Sequence, residues 1–203
     1  MTTDIPTSTQ KSALPRFERL SKADWPAVMC DLETTGTQPD RHGILQIAAV
    51  RFDLMTMEID GADTFQACLT LPTHRHWMED TRRWWLKDKR ELLEKLMSQQ
   101  EEWVDVLKRF QAWVGPGKPQ FWSKPLSFDF MFLSSYFADA GLANPFHYRY
   151  ANDLNSFMRG MYFPRQPPHT EWNVKTEGEA HDALNDVFHQ LHVLFKNYDE
   201  VRK

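Results

Sequence analysis

The segment VMCDLETTGT, residues 28–37, sets Asp31 and Glu33 one residue apart at the end of an apolar run, just before Gly36. Side chains alternate along a strand, so Ala27, Met29, Asp31 and Glu33 share one face while Val28, Cys30 and Leu32 share the other. Like charges this close repel, and burying them costs more unless a cation lies between them. The pair either opens into water at the strand end or holds a metal. Farther along, SFDFMFL places Asp129 among aromatics in the first turn of a helix, where the helix dipole favours an anion. HDALND at 181–186 opens the last helix with His181 and Asp186. Each of these has an ordinary role when taken singly. Asp129 serves as a helix N-terminal acid and His181 as a cap. Asp186, opposite the apolar stripe on a helical wheel, serves as a surface acid.

The elements that must position these residues follow from hydrophobic periodicity. Three strands are expected at 27–33, 44–52 and 64–71, and short connections make them an antiparallel meander. The second, ILQIAAVRF, is apolar on both faces and therefore central. A helix is expected over 79–97, and a cleaner one over 103–114, where Trp103, Val106, Leu107, Phe110, Trp113 and Val114 recur at helical spacing before GPGKP stops them. QFWS at 120–123 reads as a strand leading into a helix around 127–140. Another strand near 147–152, a short helix, a Pro-rich loop at 164–168 and a last helix over about 180–197 complete the chain. Three strands followed by alternating helix and strand give an α/β sandwich with a mixed sheet.

Residues 1 to about 22 are rich in Thr, Ser and Pro without a period and read as a flexible leader. The remaining length, within 203 residues of 41% hydrophobic content, suits one globular domain. Cys30 and Cys68 both fall in apolar runs, which suggests buried thiols in a reducing cytoplasm rather than a disulfide. No apolar stretch is long enough to span a membrane, so no membrane partner is expected. A net charge of −4 argues against strong non-specific binding to nucleic acid. His74 and His76 lack a second Cys/His pair at zinc spacing and read as exposed loop histidines. Asp182 and His189 read as solvated neighbours of Asp186, and Asp153 as a support of the site or a cap of the next helix. Lys118, Lys124, Arg149 and Arg165 could touch phosphates, though their spacing singles none out.

Taken together, Asp-x-Glu on the first strand, Phe-Asp after the fourth and His-x4-Asp opening the last helix resemble the DnaQ-like exonucleases of the DEDDh type, over about residues 25 to 197. DTRRWWLKDK and FWSKPLSFDFMFL resemble the RNase T-like branch that includes exonuclease A of the T-even phages, in which a Gly is usual near Ser123–Lys124. The resemblance implies an RNase H-like fold over 23–203, a five-stranded mixed sheet (antiparallel meander 1-2-3, then parallel strands) flanked by helices. It implies Asp31, Glu33, Asp129 and Asp186 as metal acids, His181 as general base, and substrate contacts at Leu32, Thr34 and Thr35. Phe128 is the aromatic assigned to base stacking, because it flanks Asp129 and single-stranded ends stack on aromatic faces.

That set explains why the first two acids are paired. Two divalent ions, Mg²⁺ or Mn²⁺, can bind the attacking water, a non-bridging oxygen and the leaving 3′-oxygen together. They would also offset the formal −4. His181 could take the proton, swinging in from an approach loop. The activity implied is hydrolysis of single-stranded DNA or RNA from 3′ ends, releasing 5′-mononucleotides; a homodimer is left open. Two rivals are another RNase H-like nuclease, disfavoured by His181 ahead of Asp186, and a silent binding module, disfavoured by keeping all five residues.

Overall fold

The computed structural model describes residues 25–164 and 180–203. Strand β1 (Ala27–Thr34) is buried along almost its whole length, because it lies inside a seven-stranded mixed sheet. Strand β2 (Ile44–Asp53) pairs with it antiparallel, setting Ala48 opposite Asp31 and Gln46 opposite Glu33. A short strand β3 (Glu58–Ile59) turns back on β2, and β4 (Phe65–Leu69) pairs antiparallel on the β2 flank, so the expected meander is present. Strand β5 (Gln100–Glu101) joins β4 in parallel. On the other flank, β6 (Gln120–Ser123) runs parallel to β1, and β7 (Ala151–Asp153) parallel to β6.

The count differs from the expected five. Strands β3 and β5 have two residues each, too few to show any alternation, and exist because a neighbouring strand offers backbone partners. The strand expected near 147–152 begins instead at Ala151, after a 3₁₀ turn over Tyr148–Tyr150.

Helices cover both faces of this sheet. Helices α1 (Glu79–Asp88) and α2 (Arg90–Ser98) replace the single helix expected over 79–97, since Lys89 leaves helical geometry at φ −140, ψ 33. They bury Trp85, Leu92, Leu93 and Leu96 against Leu45 and Cys68. Helices α3 (Trp103–Val114) and α4 (Leu126–Asp139) cover the face carrying Val28, Cys30, Leu32, Ile47 and Ala49. Helices α5 (Leu154–Tyr162) and α6 (Ala183–Val201) cover the face carrying Met29, Ala48, Val50 and Phe52. Each fully buried large aliphatic or aromatic side chain contributes about 1.5–3 kcal/mol, so these layers hold the sheet from both sides. Both cysteines are free and buried, as expected. Among the described residues no helix is long and apolar enough to cross a membrane. The leader over 1–22 and all but the first residue of the Pro-rich loop lie outside the described residues.

Candidate active site

Pairing of β1 with β6 ends at Met29–Trp122, so Asp31 and Glu33 extend past it, at the carboxyl end of the parallel strands. Crevices at that end are where α/β sheets place ligands. The chain then delivers the other acids from two helix starts. Leu126 N–H donates to Asp153 Oδ2 at 2.9 Å while Ser156 N–H donates to Oδ1 at 2.7 Å. One carboxylate thus caps α5 and fixes the start of α4, whose first turn carries Asp129 at 2% exposure. Asp153 therefore fills both roles open to it from sequence.

Helix α6 is placed by polar side chains of the sheet. Gln46, opposite Glu33, accepts from Ala183 N–H at 2.9 Å. Asp182 is the N-cap: it accepts from Leu184 N–H at 3.3 Å, Gln66 Nε2 at 3.1 Å and Lys95 Nζ at 3.2 Å. Expected as a solvated neighbour, it is buried because its oxygens are needed to start the helix and tie it to β4 and α2.

The onset at residue 183 leaves His181 outside the helix with φ +69. Its N–H donates to Asp186 Oδ2 at 3.0 Å, and its ring meets Trp84 edge-on at 4.9 Å between centroids. Lys89 Nζ donates to the preceding carbonyl, that of Ala180, at 2.9 Å. Glu33, His181 and Asp186 each bring a ligand atom within 4.8 Å of the others. The imidazole already stands beside the acids. Asp186 is half-buried rather than a surface acid, because the wheel face opposite the apolar stripe turns toward Glu33 and His181.

The electrostatics show how closely the four carboxylates are gathered. Burial, then the charges of Asp129 and Asp186, hold Asp31 well above the usual carboxylate range, with Gln190 and Lys124 pulling the other way. Burial and the charges of Asp31, Asp186, Asp129 and Asp182 do the same to Glu33. Asp129 is pushed up to about 7 by burial, partly offset by the Ser123 hydroxyl and the N–H groups of Asp129 and Leu32. Asp186 is raised by burial, partly offset by the N–H and imidazole of His181 and by His189. Hard oxygen donors gathered where their own charge is disfavoured fit a hard divalent cation such as Mg²⁺ or Mn²⁺.

The expected substrate residues have a different character. Leu32, Thr34 and Thr35 are all buried. Thr34 Oγ1 donates to Gly36 O at 2.8 Å; Thr35 Oγ1 donates to His76 O at 2.9 Å and accepts from Gly43 N–H at 2.7 Å. Phe128 is half-buried, its ring tilted on Phe132 at 4.8 Å. His74 and His76 are exposed, His74 pairing with Asp139 at 2.8 Å. The site residues not foreseen are Gln46 and Gln190. Each is a lone amide in an apolar setting, Gln46 inside the run ILQIAAV and Gln190 three residues after Val187 and four before Leu194 on the apolar stripe of α6, and that is the signal that could have found them.

A profile of the 3′–5′ exoribonuclease Rv2179c-like domain matches residues 26–196. The chain belongs to this family. The family is described as a 3′–5′ exoribonuclease domain, so the chain falls there rather than in the phage exonuclease branch that its tryptophan-rich segment resembles. A search of curated proteins returns no match. The fold is shared with cell-death related nuclease 4, at TM-score 0.62 and 16% identity over 86% of this chain and 64% of that one. It is shared too with E. coli exonuclease I bound to a dT13 oligonucleotide, at 0.64 and 18% over 84% of this chain and 40% of that one. The exonuclease from Methylocaldum szegediense gives 0.61 and 18%, over 82% and 39%. This Rv2179c-like domain therefore spans less than two thirds of those chains, and the mixed sheet flanked by helices is what it has in common with them.

Proposed function

We propose that this Rv2179c-like domain hydrolyses single-stranded nucleic acid from the 3′ end with divalent metal, releasing 5′-mononucleotides. One observation carries the reading: carboxylates from β1, α4 and α6 are gathered closely enough that Asp129 and Asp186 act on both Asp31 and Glu33, with the His181 imidazole within reach of Glu33 and Asp186. Asp31, Glu33, Asp129 and Asp186 would hold Mg²⁺ or Mn²⁺, two ions in all. The metal would supply charge neutralisation of the phosphate and a more acidic water. His181, exposed and bonded through its backbone to Asp186, takes the proton of the attacking water at an imidazole nitrogen. Phe128 offers a ring beside Asp129 for the terminal base, and Leu32, Thr34 and Thr35 around the end of β1 would contact the terminal nucleotide. Lys124, whose charge acts on Asp31, would meet a phosphate. RNA is the favoured substrate, on the description of the family, and the buried thiols suit a reducing cytoplasm.

Digestion of 3′- and 5′-labelled RNA and DNA oligonucleotides, single- and double-stranded, with Mg²⁺, Mn²⁺ or EDTA tests this. Single-stranded RNA should shorten from its 3′ end to 5′-mononucleotides and stop with EDTA. Activity undiminished by chelation, or release from the 5′ end, refutes the reading.

A further inference from the structure

Gln190 lies one turn beyond Asp186 on α6 and is 6% exposed. Its Nε2 donates to Asp31 Oδ1 at 2.7 Å, across 159 residues of sequence. Its Oε1 is buried with no hydrogen-bond partner among the described residues. The neighbours on that side of the helix, Val187, Leu191 and Leu194, are apolar core. A half-satisfied buried amide is costly to hold in a core, and a methionine would fill the same space without that cost. A residue kept on packing grounds alone would not be an amide.

The bond falls where it has most to do. Asp129 and Asp186 both act on Asp31 by repulsion, which tends to turn its carboxylate away. Lys124 is the only cation acting on it among those identified, and a flexible lysine fixes no orientation. A single N–H on Oδ1 does, and leaves the other oxygen for a ligand. We propose that Gln190 is a positioning residue that holds Asp31 in the orientation that receives the divalent cation. The inference rests on the proposed metal-dependent function and adds a residue outside the four acids and the base.

The test is Mn²⁺ titration of the full chain by calorimetry, with the metal-free melting temperature alongside, for Gln190→Met, Asp31→Asn and the double variant. In Gln190→Met the Kd for Mn²⁺ should rise roughly 10–100-fold, with the metal-free melting temperature within a few degrees of wild type. On the Asp31→Asn background the same change should add less than about twofold, because a residue acting through Asp31 has nothing left to orient. Binding within about twofold of wild type in Gln190→Met, or equal weakening on both backgrounds, overturns the inference. Should Gln190→Met not fold, Gln190→Asn withdraws the amide by one methylene and should weaken Mn²⁺ at least about threefold; wild-type affinity there overturns it equally. A wild-type chain that neither binds Mn²⁺ nor cuts with it refutes the proposed function instead.

Discussion

Asp129→Asn should stabilise the metal-free protein at alkaline pH while abolishing metal-dependent activity. Burial lifts this carboxyl from an unfolded value of 3.8 to about 7. A raised acid favours the folded state while it is protonated. Its contribution is fully present below about pH 4 and is lost as pH rises through about 7. At roughly 1.4 kcal/mol per pH unit, three units amount to about 4 kcal/mol in metal-free protein above pH 7. Asparagine removes that cost but weakens the acceptor offered to the N–H groups of Leu32 and of residue 129 itself, about 1.5–3 kcal/mol for bonds to a charged group. The net gain is about 2 kcal/mol at pH 8, or roughly 4–8 °C for a chain of this length. Near pH 4 the gain should vanish and the variant should melt at or below wild type. Melting curves by circular dichroism from pH 4 to 9 in EDTA read this directly. Saturating Mn²⁺ should reverse the order at pH 8, because only the wild type keeps four carboxylates to bind it. A difference between the two proteins that is the same at every pH would refute a carboxylate held above its ordinary range.

His181→Ala should lower kcat roughly 10²- to 10⁴-fold with smaller changes in KM and in Mn²⁺ affinity; steady-state kinetics showing near-wild-type kcat would remove His181 from the chemistry. Asp153→Ala loses the acceptor for both Leu126 N–H and Ser156 N–H. Urea unfolding should show a loss of roughly 1–4 kcal/mol, two caps at about 0.5–2 each, and a loss below 0.5 would show that neither bond matters. In Gly36→Ala the added Cβ would collide with the His42 ring and stand 2.7 Å from Met78 Cβ, at the turn that follows Glu33. The same assay should give a cost of about 1–3 kcal/mol; unchanged stability would mean that the turn shifts freely.

The residue pattern alone determined that Asp31 and Glu33 share a face, because alternation is a property of the strand backbone and needs no partner. It determined the apolar stripe of α3 for the same reason, and the helix start that carries Asp129. Resemblance in motif order then brought Asp186 and His181 to the same site, against a helical wheel that made Asp186 a surface acid. What the pattern could not reach is everything set by a distant partner. Two-residue strands exist only where a neighbouring strand supplies backbone groups. The last helix begins at Ala183 because Gln46, 137 residues earlier, accepts its first N–H, and Asp182 is buried because Gln66 and Lys95 converge on it. Gln190 meets Asp31 for the same reason: α6 packs across β1, and packing of one element on another is decided by the summed burial of both. Local periodicity records which face a side chain takes, whereas the tertiary fold decides what that face meets.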